Sequence, residues 1–359
     1  MAVAARYVAR ELMAVFVVVM VILFTVTVGA RFIGYLQDAA LGKYSAASVL
    51  TILWLRLPGF LELVLPFSLF LALLITLGRL YAEQEFSALQ VGGASPGRVL
   101  GWLTIPIVIV AVIVGYFSLL QKPANILALS EFMLAERSSQ EFRAVSPGVF
   151  HDFQRGKRVT YAESLSEDRQ LLKEVFLVEY SREDPRIVTV RAEEGRQYVD
   201  PNSGTRYLLM KNGTRQWGVI GTSDYQVLDF KELSQRLVPE EPVLSRIDMQ
   251  ALPTTELLER RTEPEVAAEL HWRIALPLLV LVTSLLGVGL ARVKPRQGRF
   301  ARLLPGFAVF VGYYVLLVLN QNALIEGWWP AAGGFWLVHL GFLALGLFTL
   351  HRSGLPARH

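Results

Sequence analysis

The feature that most constrains this sequence is a series of long apolar runs that contain few or no charged residues. The 19 residues between Glu11 and Arg31 carry no charge, which is enough to cross a hydrocarbon layer of about 30 Å as a helix. Comparable runs occupy approximately residues 50–78, 99–121, 271–291, 303–325 and 328–350. The sequence therefore predicts six transmembrane helices.

The charged residues divide the chain into a soluble insert and two membrane flanks. Residues 121–271 contain 20 basic and 25 acidic side chains, whereas the rest of the chain contains 15 basic and 6 acidic ones. The net charge of +4 thus averages a mildly acidic insert and basic flanks, and it does not indicate nucleic-acid binding.

The basic residues of the short loops predict the orientation, because cytoplasmic loops of membrane proteins are enriched in lysine and arginine. Residues 292–302 contain five basic and no acidic side chains, so this loop is predicted to be cytoplasmic. Counting spans from it places both termini and the 79–98 loop in the cytoplasm and residues 121–270 outside. The four cytoplasmic segments then hold eleven basic residues, and the short outer loops hold only Arg31 and Lys43.

The outer insert is predicted to be an all-β domain. Within residues 145–237, apolar and polar residues alternate in short runs, such as 158–161, 174–180, 186–190, 206–210 and 225–230. Turn signals separate these runs at residues 155–156, 200–204 and 212–213, the last being an Asn-Gly pair typical of hairpins. About eight such strands would form a small sandwich or jelly roll with an apolar interior.

The predicted fold class is a membrane α-helical protein with six transmembrane helices and an inserted, jelly-roll-like β domain. Residues 1–121 would form the first three helices, with a cytoplasmic coupling segment at 79–96. Residues 122–270 would form the β domain and its connectors. Residues 271–359 would form the last three helices.

No residue pattern predicts catalysis or metal binding. The chain has no cysteine, no G-x-x-x-x-G-K-[ST] phosphate-binding motif and no H-E-x-x-H zinc motif. His151 precedes Asp152 in the insert, but no serine or cysteine nucleophile pattern accompanies it. We interpret His151 as an ordinary polar residue at a strand end and expect a non-catalytic protein, for which a partner subunit could hydrolyse ATP.

The cytoplasmic loop after the second span is the first candidate functional segment. Residues 81–91 can form a short amphipathic helix that ends at Gly92-Gly93, and acidic residues in its first turn complement the helix dipole. Such a helix could contact a cytoplasmic motor; the alternative is a membrane-surface helix without a partner. The candidate contact residues, two acidic and two apolar, are Glu83, Glu85, Phe86 and Leu89.

Ionisable and polar residues in the spans form the second candidate set, because such groups usually face a cavity or a partner in a membrane. Arg56 and Glu62 lie about 120° apart around a helix, and they either line a polar route or pair with other helices. Arg31, at the outer end of the first span, can snorkel or meet an anionic head group. Asn320 and Gln321 in the fifth span could face the same region.

Five stretches together resemble the permease subunits of the bacterial lipopolysaccharide-export ABC transporter, the LptF/LptG family, and the LptF branch most of all. They are residues 66–70, 77–85, 210–215, 268–274 and 294–299. The similarity in topology extends over essentially the full chain. Individually these motifs are short, but their order and spacing are specific.

The resemblance implies a multi-pass protein of the bacterial inner membrane, with cytoplasmic termini and a periplasmic β domain. The chain would pair with an LptG-like permease above a dimeric LptB-like ATPase, which would hold the ATP and magnesium, and would itself bind no cofactor. Lipopolysaccharide would enter through gates formed by the first and fifth spans. It would then pass through the β domain to an LptC-like jelly-roll partner with a membrane anchor.

The resemblance also gives roles to single residues. Glu85 falls at the coupling-helix acid that meets the ATPase in this family, and Arg31 falls at a basic cavity position. Gln321 stands near a position where some relatives carry a basic residue, so recognition of substrate charge is not implied there. The alternatives are a membrane-anchored periplasmic scaffold without transport activity, a permease for another amphiphilic lipid, and a membrane-embedded hydrolase or lipid-modifying enzyme. For a hydrolase the sequence offers no evident nucleophile.

Overall fold

The computed structural model describes residues 2–40, 44–144, 148–153, 158–166, 171–180, 186–199, 206–219, 225–236, 246–292, 301–328 and 333–354. The chain divides into a helical unit (Met1–Gln37, Ala47–Leu129 and Leu244–His359) and a unit that contains the β-sheet (Asp38–Ala46 and Ser130–Val243). The helical unit includes residues 122–129 and 244–270, which belong to the stretch 122–270 that was predicted to form the β domain and its connectors. The predicted turns at 155–156 and 200–204 and most of the basic 292–302 loop lie outside the described residues.

Ten α-helices and one π-helical turn occur within these ranges. In chain order they are α1 (Ala2–Ala40), α2 (Ser48–Ala82), α3 (Glu85–Val91), α4 (Pro96–Tyr116), the π turn (Phe117–Gln121), α5 (Lys122–Ala144), α6 (Arg246–Ala251), α7 (Thr254–Glu259), α8 (Pro264–Leu290), α9 (Leu303–Ile325) and α10 (Trp336–Gly354). Local sequence sets several starts. Ser95 caps α4 by accepting a hydrogen bond from the Arg98 amide at 3.2 Å, and a proline occupies the first turn of both α4 and α8.

Five helices in the described ranges are long and apolar enough to cross a membrane: Val3–Ala40, Ser48–Ala82, Pro96–Leu134, Pro264–Leu290 and Leu303–Ile325. They confirm the first five predicted spans. The sixth prediction, residues 328–350, corresponds to α10, a helix of 19 residues. It falls outside this set because His339, His351 and Arg352 lower its hydropathy.

The third span is longer than the predicted 99–121. Helices α4 and α5 are joined by the π turn without a break, so one helical segment runs from Pro96 to Ala144, and its part from Pro96 to Leu134, 39 residues, is apolar enough to span a membrane. A π turn inside an α-helix is rare and often marks a functional position. Its Ser118 hydroxyl donates a hydrogen bond to the Arg273 carbonyl of α8 at 3.2 Å. Because the helix continues through the π turn, Lys122 lies within the helical unit.

Helix α8 lies at the centre of the helical unit and packs against α2, α4, α9 and α10. Fully buried side chains at these contacts include Leu73, Leu103, Leu279 and Tyr313. Gly287 lets α8 approach α2 closely, since a Cβ atom there would lie 3.1 Å from Leu73 Cβ. Close packing through small residues is the usual way in which membrane helices associate.

The insert contains one antiparallel sheet whose strands follow chain order. The described strands are β1 (His151–Phe153), β2 (Arg158–Leu165), β3 (Leu171–Tyr180), β4 (Arg186–Val199), β5 (Arg206–Val219) and β6 (Tyr225–Arg236). All five predicted runs lie inside strands, which confirms the all-β insert. The described part of the chain has six strands, whereas about eight were predicted.

A line of unpaired positions crosses the sheet from β2 to β6. From β2 to β6, each strand is paired with its neighbour in the same register on both sides of this line. At the line itself one residue pair is missing, as between the pairs Lys173↔Glu194 and Val175↔Ala192 of β3 and β4. Two residues on the line, Glu174 and Asn212, have positive φ angles of 49° and 47°. Residues from both halves of the sheet share one apolar cluster, including Leu172, Met210, Leu177 and Val190. The sheet therefore bends along this line around a common core.

The hairpin prediction at Asn212-Gly213 is wrong. These residues lie inside β5, at the bend line, and the strand continues to Val219. Asn212 has the positive φ that the dipeptide favours, because asparagine tolerates this region better than most residues. Its side chain donates a hydrogen bond to Glu193 on β4 at 3.0 Å. The sequence thus correctly indicated a positive φ angle at Asn212, but this angle occurs at a bend within β5 and not in a hairpin turn.

We expect Gly213→Ala to destabilise the β unit by about 3 kcal/mol, the upper range for overpacking. A Cβ atom there would collide with the Arg191 carbonyl oxygen and lie 2.6 Å from the Phe230 ring. Thermal unfolding of the full chain in detergent, followed by proteolysis within residues 144–245, measures this loss. Asn212→Gly is the matched control, because glycine accepts positive φ. Equal protease resistance of the two variants would contradict the bend-line interpretation.

Candidate functional site

A cavity of about 520 Å³ lies in the helical unit between α1, α2, α5, α6 and α9. Most of its wall is apolar and includes Leu23, Leu63, Phe67, Phe310 and Val311. Four charged side chains also line it: Arg31, Arg56, Glu62 and Lys122. The structure thus brings three predicted charged residues together from two helices, and Lys122 joins them.

Glu62 and Lys122 form a buried ion pair across the cavity wall. Lys122 Nζ lies 2.6 Å from Glu62 Oε1, and the two side chains are only 9% and 7% exposed. The sequence left two alternatives for Glu62, lining a polar route or pairing with another helix. In the structure Glu62 does both, because it lines the cavity and pairs with Lys122 of α5. Its second oxygen, Oε2, has no hydrogen-bond partner among the described residues.

Arg31 and Arg56 remain as cations without a carboxylate partner in the part of the chain that the structure describes. The Arg31 guanidinium lies 5.9 Å from the centre of the Phe60 ring, within cation–π range. The buried Nε of Arg56 has no hydrogen-bond partner there. Since Lys122 and Glu62 neutralise each other, the four charged groups of the cavity sum to two positive charges.

Asn320 and Gln321 do not line this cavity. The Asn320 side chain donates a hydrogen bond to the Gly334 carbonyl at 2.7 Å. Gln321 is buried and lines a second cavity of about 200 Å³, together with Glu265, Glu269 and Glu326. The structure therefore separates these two residues from Arg31 and Arg56, with which they were grouped.

The predicted cytoplasmic helix is present as α3, which begins at Glu85 instead of residue 81. Helix α2 continues to Ala82, and Gln84 adopts a positive φ of 61° between the two helices. The end is as predicted, because the Gly92 amide closes the last turn on the Ala88 carbonyl at 3.3 Å. Glu83 therefore caps α2 and Glu85 starts α3.

The two acidic candidates of this segment are partly exposed, and one apolar candidate is buried. Glu83 and Glu85 are 48% and 36% exposed at their side chains. Phe86 is only 1% exposed and stacks on Tyr81, with ring centres 4.1 Å apart. Leu89 is partly buried and packs against the apolar core of the helical unit, to which Phe86 also belongs. Phe86 thus anchors α3 to this chain, whereas the carboxylates of Glu83, at the end of α2, and Glu85, at the start of α3, stay partly exposed.

Comparison with known proteins decides the family. Residues 6–352 match the family model described as "Lipopolysaccharide export system permease LptF/LptG". This chain belongs to the LptF/LptG family. Proteins named lipopolysaccharide export system permease protein LptF, from Escherichia coli K12, Escherichia coli O157:H7 and Shigella flexneri, are each 26% identical to it over 353 residues. These matches cover 98% of this chain and 96% of each relative.

Membership of the LptF/LptG family confirms the resemblance that the sequence motifs carried. Together with five helices of spanning length in the described ranges, it identifies the chain as a multi-pass membrane permease of the lipopolysaccharide export type. The predicted β insert agrees with the observed sheet.

A second buried charge in this LptF/LptG chain was not singled out from the sequence. Arg273 on α8 is fully buried and donates five hydrogen bonds, one for each N–H of its guanidinium. They reach Glu269 Oε1 at 2.9 Å, the Thr254 hydroxyl at 2.9 Å, and the carbonyls of residues 249, 250 and 252 at 3.3, 3.1 and 2.9 Å. Arg273 thereby fastens α6 and the start of α7 to α8.

The Arg273 cluster adjoins the large cavity. Gln250 accepts a hydrogen bond from Arg273 through its carbonyl and also lines the cavity. The Thr254 hydroxyl in turn donates to the Leu119 carbonyl in the π turn. Residues 268–274 had been quoted only for their resemblance; the signal for a buried pair was the spacing of Glu269 and Arg273, four residues apart in an apolar helix.

Proposed function

We propose that this chain is the LptF-like permease subunit of an ATP-driven exporter that extracts lipopolysaccharide from the bacterial inner membrane. It is non-catalytic and delivers the lipid through its periplasmic β domain to a bridge toward the outer membrane. An LptG-like permease and a dimeric LptB-like ATPase complete the transporter, and ATP and magnesium bind to the ATPase. The predicted orientation, with both termini cytoplasmic, is part of this proposal.

The cavity beside Arg31 and Arg56 carries the proposal. Lipopolysaccharide has anionic phosphates and several acyl chains, so its site needs cations and a large apolar wall. Arg31 and Arg56 have no carboxylate partner among the described residues, and the remaining lining is mostly apolar. Arginine suits phosphate, because its planar guanidinium can donate two parallel hydrogen bonds.

The position of the cavity fits entry from the bilayer. Helices α1 and α9 both contribute to its wall, through Leu23 and Phe310 among others. A volume of about 520 Å³ is in the range of small-ligand pockets, about 300–1,000 Å³, and is too small for a whole lipopolysaccharide. A second permease would therefore supply the facing wall and enlarge the cavity.

The cytoplasmic and soluble parts of the chain support the partner assignments. Glu83 and Glu85 present partly exposed carboxylates at the end of α2 and the start of α3, where a basic surface of the ATPase would bind. In the insert, β1 and β6 are the outermost described strands of the sheet. The edge of such a sheet can pair with a strand of another protein, which suits an LptC-like partner.

Reversal of the two cavity cations tests the proposal. Phe307 on α9 also lines the cavity. We expect Arg31→Glu/Arg56→Glu to lower crosslinking of lipopolysaccharide to a photo-reactive residue at position 307 by about tenfold or more. The physical reason is that each charge-assisted hydrogen bond contributes about 1.5–3 kcal/mol, and about 1.4 kcal/mol corresponds to tenfold in affinity. The measurement uses the complete transporter in liposomes that contain lipopolysaccharide.

Two controls define the outcome. Arg31→Lys/Arg56→Lys keeps both charges and should retain most of the crosslinking, whereas Arg261→Glu/Arg352→Glu reverses two exposed charges and should have no effect. Crosslinking of phosphatidylglycerol in place of lipopolysaccharide would favour a permease for another lipid. Unchanged crosslinking in the cavity variant would overturn the assignment of the cavity.

A further inference from the structure

Helix α1 is attached to the rest of its chain mainly near its first turns. Val8, Leu12 and Phe16 are buried in the helical core. Only 11% of the most apolar stretch of α1 is buried, and past Phe16 the helix is largely uncovered, with Val18 and Val26 59% and 64% exposed. Helix α1 runs without a break from Ala2 to Ala40. Movement of its buried end would therefore be passed along the helix to Arg31 at the cavity.

A polar cluster joins this attached end of α1 to α3. Tyr7 donates a hydrogen bond from its hydroxyl to Glu85 Oε2 at 2.9 Å. Arg79, near the end of α2, donates to the Tyr7 hydroxyl at 3.2 Å and lies 3.2 Å from Glu11 Oε1. It also contacts Glu85 at 3.1 Å and Glu83 at 2.8 Å. We call these five residues the α1–α3 clamp.

The charges of the α1–α3 clamp would allow a basic partner to bind to it. One arginine faces three carboxylates, so the cluster keeps an excess of two negative charges around Arg79. The carboxylates of Glu83 and Glu85 are partly exposed and can accept further hydrogen bonds from a basic surface. Partly exposed ion pairs of this kind contribute little to stability, but these contacts join the ends of three helices, α1, α2 and α3.

We infer that the α1–α3 clamp transmits movement of α3 to α1, so that a cytoplasmic partner bound at Glu85 displaces the cavity wall that carries Arg31. This inference rests on the proposed function, because it takes the partner to be the transporter's ATPase. Tyr7 and Glu11 are positioning residues on the α1 side of the clamp. Arg79 connects them to α2 and α3.

The test uses the absence of native cysteine in this chain. Spin labels on Val26→Cys in α1 and Ile109→Cys in α4 report the distance between the two helices, since both side chains are exposed. The distance is measured in the complete transporter, with and without magnesium ATP trapped by vanadate. We expect trapping to change this distance in the labelled parent chain.

The clamp variant is Tyr7→Phe/Glu11→Gln, which removes the α1 side and leaves Arg79, Glu83 and Glu85 in place. We expect the ATP-dependent change in distance to fall at least threefold, while ATP hydrolysis stays within twofold of the parent. Tyr116→Phe/Glu259→Gln is the matched control, since it removes the same two groups outside the clamp, and it should preserve the distance change. If the clamp variant showed the full ATP-dependent change in the distance between α1 and α4, the inference would be overturned. It would also be overturned if trapping did not change this distance in the parent.

Crosslinking of lipopolysaccharide at Phe307 in the same samples separates this result from the proposed function. If the parent crosslinks lipopolysaccharide and the clamp variant keeps its α1 movement, only the clamp is wrong. If the parent fails to crosslink lipopolysaccharide, the proposed function is wrong, whatever the distance measurement shows.

Discussion

Lys122→Met is expected to destabilise the helical unit by about 3–5 kcal/mol, the usual cost of removing one partner from a buried ion pair. Lys122 lies 2.6 Å from Glu62, and both side chains are at most 9% exposed. Without the ammonium group, Glu62 keeps a buried carboxylate with no hydrogen-bond partner for Oε2 in the described part of the chain. Thermal unfolding of the purified chain in detergent measures the loss.

The double variant Lys122→Met/Glu62→Gln should recover most of this stability. Replacing both members of a buried pair is often nearly neutral, because the desolvation of two charges offsets much of their attraction. Lys211→Met is the matched control, since Lys211 pairs with Glu232 at 3.5 Å in an exposed position and should cost no more than about 1 kcal/mol. A double variant as unstable as Lys122→Met would show that Lys122 acts through contacts other than Glu62.

Glu62 could be selected from the sequence, but its partner could not. An acidic residue inside an apolar run is conspicuous, because it has few favourable environments there. Lys122 directly follows the predicted third span, where a lysine is normally expected to snorkel to the membrane surface. It is buried because the π turn continues the helix past Lys122, into α5. That continuity depends on packing between helices, which hydropathy does not report.

In the predicted coupling segment, too, local sequence predicts some features of α3, and tertiary packing determines the others. The Gly92-Gly93 pair correctly predicts the end of α3, because glycine commonly ends a helix. The amphipathic pattern also correctly predicts a helix, but it cannot show which molecule covers the apolar face. Phe86 is buried on Tyr81 of the same chain. Likewise, Tyr7 and Glu85 are 78 residues apart in sequence, so no local pattern predicts the α1–α3 clamp.

In the β insert, the alternation of apolar and polar residues predicts the strands but does not predict the bend that crosses the sheet from β2 to β6. The five runs chosen from the sequence all lie in strands, because alternating burial is a property of neighbouring residues. The line of unpaired positions depends on the alignment of Glu174, Glu193 and Asn212 across three strands. A single sequence does not contain this register, so the Asn-Gly pair was interpreted as a hairpin turn.

Arg273→Met is expected to destabilise the helical unit by about 4 kcal/mol or more, since it leaves a buried carboxylate and several carbonyls unpaired. The five donors of Arg273 satisfy Glu269, Thr254 and three backbone carbonyls. Besides lower thermal stability, we expect faster proteolysis within residues 244–259, because Arg273 fastens this connector to α8. Arg260→Met, which removes an exposed arginine paired with Glu263 at 2.9 Å, should change neither quantity by more than the error of measurement.

The two buried pairs should differ in their response to double substitution. For Lys122 and Glu62, one contact joins two side chains, so removing both removes the unpaired charge. For Arg273 and Glu269, Arg273→Met/Glu269→Gln removes the charge but leaves the carbonyls of residues 249, 250 and 252 without their donor. Each unsatisfied buried carbonyl costs about 1–3 kcal/mol, so we expect less than half of the loss to be recovered. Full recovery would mean that Arg273 serves only to neutralise Glu269, and the connector would then be held by its apolar contacts.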